Sequence, residues 1–239
     1  MNTKHLIRCA LLGALLGAAS LCAAQDKVTP ILGGDIVSQY IWRGQNLGSA
    51  AIQPCVGFEY KGLSVSAWGS YGFADASDVK EFDLTVSYTI KGFNIGITDY
   101  WFSEGLDPEG RYFKYDSHGT NHLFEANVGY DFKYVVLQWY TNFAGNDGTG
   151  KDGKRAYSSY IEISVPFHAA HVDWTATLGA VPYASSYYGA NGFAVTNVSF
   201  KASYDIRIND NFSFPIYAEV IANPCSQKAY IVVGLSIGM

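Results

Sequence analysis

The stretch Glu81-Phe82-Asp83-Leu84-Thr85-Val86-Ser87-Tyr88-Thr89-Ile90 alternates apolar and polar residues without a break. Every even-numbered position is apolar and every odd-numbered position is polar. Because successive side chains of a strand point to opposite faces, this segment would form a strand with one apolar and one polar face. A tilted strand of this length rises about 25 Å, which is the height of the apolar belt of an outer-membrane barrel.

The same alternation recurs along the chain and predicts about twelve strands. They are predicted at 35–44, 51–60, 63–73, 81–90, 93–102, 121–131, 134–143, 156–166, 171–181, 194–207, 211–222 and 228–238. Short connections such as Lys61-Gly62 alternate with mostly longer polar ones such as 103–120, 144–155 and 182–193. Short periplasmic turns and longer external loops are typical of outer-membrane barrels. The sequence therefore predicts an all-β fold, a transmembrane antiparallel β-barrel of about twelve strands behind an N-terminal signal peptide.

The N terminus has the features of a secretory signal. Lys4 and Arg8 precede an apolar run at 10–21, and small residues precede Gln25. The run is shorter than the ~20 residues that span a bilayer as a helix. The predicted organisation is a signal peptide at 1–24, an N-terminal segment at 25–34 and an outer-membrane β-barrel at 35–239. We expect the chain to be exported and inserted into the outer membrane of a Gram-negative-type bacterium by the outer-membrane assembly machinery.

The polar face of the predicted barrel is rich in carboxylates and tyrosines. The chain has 16 Lys+Arg against 21 Asp+Glu, and this acidic balance argues against a nucleic-acid partner. An acidic lumen attracts cations and repels anions. The candidate lumen-lining residues are Asp35, Arg43, Asp83, Glu125, Tyr140, Tyr160, Glu162, Asp173, Lys201, Tyr217 and Glu219.

These features favour an outer-membrane porin-like channel for passive diffusion of small neutral or cationic solutes, with outer-membrane lipid and the solute as partners. Two alternatives stay open. One is a non-conducting structural or surface-interaction barrel, and the other is an outer-membrane lipid-modifying enzyme. Such an enzyme needs a Ser or Thr nucleophile beside a His, and only His122 starts a strand near the outer leaflet. We predict no catalytic residue, no cofactor and no metal site.

Cys55 and Cys225 are the cysteines that follow the predicted signal peptide. An exported chain enters an oxidising space in which disulfides form. If the last hairpin closes against the first strand, Cys225 in the final external loop approaches Cys55 near the upper end of the second strand. The two are a candidate structural disulfide.

Four segments resemble the TorF-like family of outer-membrane porins. They are IVSQYIWRG at 36–44, AIQP at 51–54, VSAWGS at 65–70 and EFDLTVSY at 81–88. The resemblance implies an outer-membrane barrel and directs attention to Arg43, Glu81 and Asp83. Arg43 would act either in the channel or as a structural anchor that pairs with a facing carboxylate.

Overall fold

The computed structural model describes residues 27–75, 77–117, 119–207 and 213–238. The predicted signal peptide at 1–24 lies outside the described residues. Within these ranges, no helix has the length and apolar character needed to cross a membrane.

The described chain contains fourteen strands. They are β1 Thr29–Val37, β2 Tyr40–Trp42, β3 Gln45–Gly48, β4 Ala51–Tyr60, β5 Leu63–Gly72, β6 Glu81–Ile90, β7 Phe93–Phe102, β8 His122–Asp131, β9 Val136–Gly145, β10 Ser159–Ala169, β11 Val172–Val181, β12 Ala194–Arg207, β13 Ser213–Asn223 and β14 Lys228–Gly238. Twelve of them form one closed barrel, while β2 and β3 form a separate two-stranded sheet. The predicted twelve-stranded antiparallel barrel is confirmed.

Strand β1 closes the barrel. It pairs antiparallel with β14, from Gly33 opposite Gly238 to Val37 opposite Gly234. Its other side pairs with β4 along its whole length. Closure leaves no sheet edge in the wall, which is the condition for a β-structure to sit in hydrocarbon.

Two of the short turns are explained by their Lys-Gly sequences. Lys61 and Gly62 have φ angles of 49° and 87°, and Lys91 and Gly92 have 50° and 85°. Positive φ at both central residues is the geometry of a type I′ turn, which matches the twist of the strands it joins and favours Gly at its second position. These predicted two-residue turns are confirmed.

The outer face of the wall is apolar and the inner face is polar. In β6, the side chains of Phe82, Leu84, Val86, Tyr88 and Ile90 are 37–50% exposed, whereas those at 81, 83 and 85 are buried. In a closed barrel, the buried face of each strand points to the inside. The alternation therefore gives the wall an apolar exterior and a polar lumen.

The first strand differs from the prediction of 35–44. Strand β1 begins at Thr29, inside the segment predicted to precede the barrel, and ends at Val37. The chain then forms a hairpin of β2 and β3. Residues 40–42 are aromatic or aliphatic, as many wall positions are, but Arg43 and Gly44 have φ angles of 50° and 77° and reverse the chain.

Two β-bulges interrupt the wall. The register shifts between Phe124 and Glu125 in β8 and between Gly179 and Ala180 in β11. The second shift leaves Thr196 of β12 without a partner in the ladder. A bulge redirects nearby side chains, and both of these lie where the hairpin meets the wall.

Candidate functional site

The hairpin of β2 and β3 lies inside the barrel and contacts several strands. The Gly44 carbonyl accepts a hydrogen bond from Asn223 Nδ2 at 3.0 Å. A Cβ at position 44 would overlap the carbonyl oxygen of Thr196, so only Gly fits this approach. The Tyr40 ring lies against Trp68, with centroids 5.7 Å apart. The hairpin is therefore docked on β5, β12 and β13 at once.

Arg43, at the turn of this hairpin, reaches across the lumen to Glu125 of β8. Its Nη1 and Nη2 donate to Glu125 Oε2 and Oε1 at 2.6 and 2.9 Å. Nη1 also donates to the Tyr188 hydroxyl at 2.8 Å, and the Tyr100 hydroxyl donates to Glu125 Oε1 at 2.9 Å. Both charged side chains are only 2% exposed. A bidentate charge-assisted pair of this kind fixes geometry as well as charge.

Aromatic rings surround the same guanidinium. The Arg43 Cζ atom lies 4.1 Å from the centre of the Trp42 ring, 3.9 Å from Tyr140 and 4.7 Å from Tyr160. All three distances are within the range of cation–π attraction. Trp42 belongs to the hairpin itself, so we give the name Arg43 cage to the wall and loop residues that hold Arg43: Tyr100, Glu125, Tyr140, Tyr160 and Tyr188.

The loop at 182–193, which the sequence predicts to be external, completes this cage from inside the barrel. The Tyr188 ring stacks on Trp42 at 6.3 Å and on Tyr160 at 6.0 Å, and Tyr187 meets Trp42 edge-on at 6.2 Å. Burial raises the pKa of the Tyr187 and Tyr188 hydroxyls, so both stay neutral. Burial lowers the pKa of Arg43, but Glu125, Tyr188 and Tyr100 together raise it by more, so the guanidinium stays charged.

A second group of acids lies next to the cage. Glu81 and Asp83 are buried in β6, and Glu81 is hydrogen-bonded to both Tyr40 and Asp83. Asp83 Oδ1 has no hydrogen-bond partner among the described residues. No Lys or Arg in the described ranges forms a salt bridge with either acid. Asp83 is also close enough to Glu125 to interact electrostatically with it.

The remaining predicted luminal residues fall into two further groups. Glu162 accepts a hydrogen bond from the Tyr160 hydroxyl at 2.9 Å and so extends the cage. On the other side, Lys201 lies opposite Glu219 and places its Nζ 3.7 Å from the centre of the Tyr217 ring. Asp35 is buried and interacts electrostatically with Lys201. Both cations identified in the lumen, Arg43 and Lys201, are therefore engaged by acids and rings.

Two sequence predictions lie apart from these groups. Asp173 sits near the turn end of β11 with its side chain 54% exposed, bonded to His168 at 2.8 Å. The predicted disulfide does not form: Cys55 is buried in β4, and Cys225 is exposed in the loop after β13. The Cys225 sulfur lies 3.9 Å from the Gly189 carbonyl. The final loop packs on the loop at 182–193 and does not reach the wall near Cys55.

A polar pair lies on the outer face of the wall. His122 Nδ1 is 2.7 Å from Asp99 Oδ1, and its Nε2 bonds to the carbonyl oxygen of Tyr112. Tyr115 stacks on the imidazole at 4.0 Å. Both ring nitrogens are therefore used to hold the loop at 103–121 against the wall, which leaves neither to take a proton from a nucleophile. This geometry gives His122 a structural role.

We expect His122→Asn to loosen this loop without changing the current through the barrel. Removing one partner of a buried hydrogen bond costs about 1–3 kcal/mol, and the loop should become more sensitive to protease added outside. His168→Asn, which disturbs the exposed His168–Asp173 pair, is the matched control. Loss of phospholipid turnover in His122→Asn would contradict the structural role and favour the enzyme.

Neither a protein-family model nor a curated protein matches the sequence. The chain is similar to several solved structures, among them the following three. The KdgM porin is 10% identical, with 88% of this chain and 99% of that chain covered and a TM-score of 0.48. A membrane protein from a study of in-meso crystallization is 7% identical over 87% and 83%, with a TM-score of 0.50. An outer membrane channel from Pseudomonas putida F1 is 11% identical over 88% and 92%, with a TM-score of 0.38.

The fold is a closed twelve-stranded antiparallel β-barrel. At these identities the likeness concerns the fold alone, and the TorF-like resemblance remains a prediction.

Sequence reasoning found part of the cage and missed the rest. Arg43, Glu125, Tyr140 and Tyr160 were predicted to line the lumen, and the structure brings these four together. Tyr188 was missed because it lies in the loop between β11 and β12, where the alternation of strand residues gives no information about side-chain direction. The only signal for it was the unusual Tyr187-Tyr188 pair in a polar loop.

Proposed function

We propose that the chain is a porin-like channel of the outer membrane that lets small neutral or cationic solutes diffuse through its lumen. The observation that carries this proposal is a closed wall whose exposed apolar exterior surrounds a lumen lined by carboxylates and tyrosines. Export by the predicted signal peptide, insertion by the assembly machinery and residence in outer-membrane lipid belong to the same proposal.

We further propose that the hairpin of β2 and β3 is the gate. It pairs with no strand of the wall, and its Arg43 ties it to Glu125 across the lumen. Trp42 joins it to the loop at 182–193 through the stack on Tyr188. Moving the hairpin would remove both contacts and widen the path.

The alternative function is that of a non-conducting barrel, and one observation favours it. The hairpin of β2 and β3, the loop at 182–193 and several tyrosines meet inside the same lumen. Recording purified protein in planar bilayers separates the two functions. Stepwise currents that carry cations better than anions support the channel. Silence from wild type and from variants with a loosened hairpin, all with intact barrels, supports the structural barrel.

Replacing Glu81 by Gln together with Asp83 by Asn is expected to reduce cation selectivity. These acids have no Lys or Arg partner in the described ranges, whereas the charge of Glu125 is already balanced by Arg43. The measurement is the reversal potential in a salt gradient, which should move toward zero.

The matched control replaces Glu104 by Gln in the external loop at 103–121, where this acid is exposed. The hydrogen bond between Glu81 and Asp83 requires a shared proton, so the pair carries at most one negative charge, and the control removes one charge outside the lumen. Equal shifts in the luminal double variant and in the control would show that overall charge, and not the luminal pair, sets the selectivity.

A further inference from the structure

We propose that the Arg43 cage is a binding site for solutes that carry a guanidinium group, and that Arg43 is a tethered occupant that such a solute displaces. This inference deepens the proposed channel function and rests on it. The tethered side chain shows which chemistry the cage accepts: a planar cation that a carboxylate can bind at two points and that aromatic faces can surround.

The polar and ring contacts of the cage are made with the terminal part of the arginine. Both Nη atoms donate to oxygens, and the Tyr140 and Tyr160 rings lie 3.9 and 4.7 Å from Cζ. The Nε atom, by contrast, is buried without a hydrogen-bond partner among the described residues. The polar contacts therefore do not depend on the stem of Arg43, and a free guanidinium group could make all of them. Because Nε of Arg43 makes no hydrogen bond among the described residues, a free guanidinium group would lose none at that position.

Arg43 is attached to an element, the β2–β3 hairpin, that can move without breaking the wall of the barrel. The hairpin is a separate two-stranded sheet, and Gly44 and Asn223 provide one of its anchoring hydrogen bonds. A group on a short flexible linker competes at an effective concentration on the order of millimolar, and the docked hairpin presents Arg43 at this concentration or above it. A solute guanidinium must therefore reach millimolar concentration, or bind more tightly than Arg43, before it releases the hairpin.

The acids beside the cage give an incoming cation a neighbouring site. Glu81 and Asp83 carry carboxyl groups with no basic partner in the described ranges, and Asp83 interacts electrostatically with Glu125 and Tyr100. Conduction through a selective pore requires several adjacent sites of moderate strength. A cation could pass from these acids to the cage as Arg43 leaves it.

Binding of guanidinium chloride to detergent-solubilised protein, measured by calorimetry against equal sodium chloride, tests the site without requiring conduction. We expect Arg43→Ala to bind guanidinium at millimolar concentration or below, and Arg43→Ala with Glu125→Gln to bind it about tenfold more weakly or not at all. Methylammonium, which cannot bind the carboxylate at two points, should bind Arg43→Ala more weakly than guanidinium.

Recordings of the wild-type protein show whether a solute reaches the site when Arg43 is present, or only after Arg43 has been removed. We expect millimolar guanidinium to raise the open probability of wild type in bilayers, and Gly44→Ala, which loosens the hairpin but keeps the cage, to respond at lower concentration. Guanidinium binding to Arg43→Ala without any effect on wild type or Gly44→Ala would make Arg43 a permanent plug and overturn the inference. Binding in calorimetry with no current from any variant would instead defeat the proposed channel. Absence of binding to Arg43→Ala would overturn the site itself.

Discussion

Replacing Arg43 by Ala is expected to raise the single-channel conductance severalfold. The substitution removes the link between the hairpin and Glu125 and leaves that carboxylate buried without its cation. Breaking one side of a buried ion pair costs about 3–5 kcal/mol when the other charge stays buried. Water relieves this cost once the hairpin leaves, so the open lumen becomes the favoured state. Planar-bilayer recording measures the change directly.

Two further variants isolate the role of Arg43. Combining Arg43→Ala with Glu125→Gln removes the unpaired charge, so the stability of the barrel should recover. The conductance should stay above the wild-type value because the link between the hairpin and β8 is still absent. Arg155→Ala removes an arginine from the external loop at 146–158, where it bonds to the Gly145 carbonyl, and should leave conductance near the wild-type value. A folded Arg43→Ala barrel with wild-type current would show that the hairpin is not the gate.

Replacing Val86 by Arg is expected to cost about 2–4 kcal/mol in the free energy of unfolding from a bilayer. Val86 lies near the middle of β6 on the outer face and is 50% exposed. If that face meets hydrocarbon, the guanidinium must be partly dehydrated or must draw water into the bilayer. Urea titration of protein folded into vesicles measures this cost.

Ile90→Arg is the matched control for depth. It changes the same face of the same strand at the turn end, where lipid head groups and water are close, and the expected cost is about 0–1 kcal/mol. Similar costs at both positions would contradict the placement of the apolar belt in the membrane.

Strands with unbroken alternation could be predicted closely from the sequence. The predicted ranges 51–60, 81–90 and 93–102 coincide with β4, β6 and β7. The reason is physical: a wall with lipid on one side and polar contacts on the other imposes a period of two along every strand. Lys-Gly turns then fix where one strand ends and the next begins.

The hairpin could not be predicted in the same way. Residues 40–42 are aromatic or aliphatic residues that favour strands, so the predicted first strand extends past Val37. What diverts the chain is the reversal at Arg43 and Gly44 and the fit of Gly44 against Thr196. That fit depends on a bulge formed far away in the sequence.

The sequence predicts an excess of acids in the lumen but not which of these acids are paired with a base. The sequence shows an excess of acids on the inner face, and it leaves open which of them are balanced. The structure pairs Arg43 with Glu125, which is 82 positions away, and leaves Glu81 and Asp83 without a basic partner in the described ranges. Pairing over such a separation is set by the closed topology and not by local spacing.

Closure of the wall between β1 and β14 underlies both the channel and the cage, and cross-linking tests it most directly. Ile36 and Leu235 lie opposite each other in this ladder, and opposed antiparallel residues have Cα separations that a disulfide can bridge. We therefore expect Ile36→Cys with Leu235→Cys, in a Cys55→Ser and Cys225→Ser background, to form an internal disulfide in membrane-inserted protein. Ile36→Cys with Val128→Cys, a pair that shares no ladder, should not link. Failure of the first pair to link under oxidation, while both cysteines react with a thiol reagent, would contradict the closed barrel.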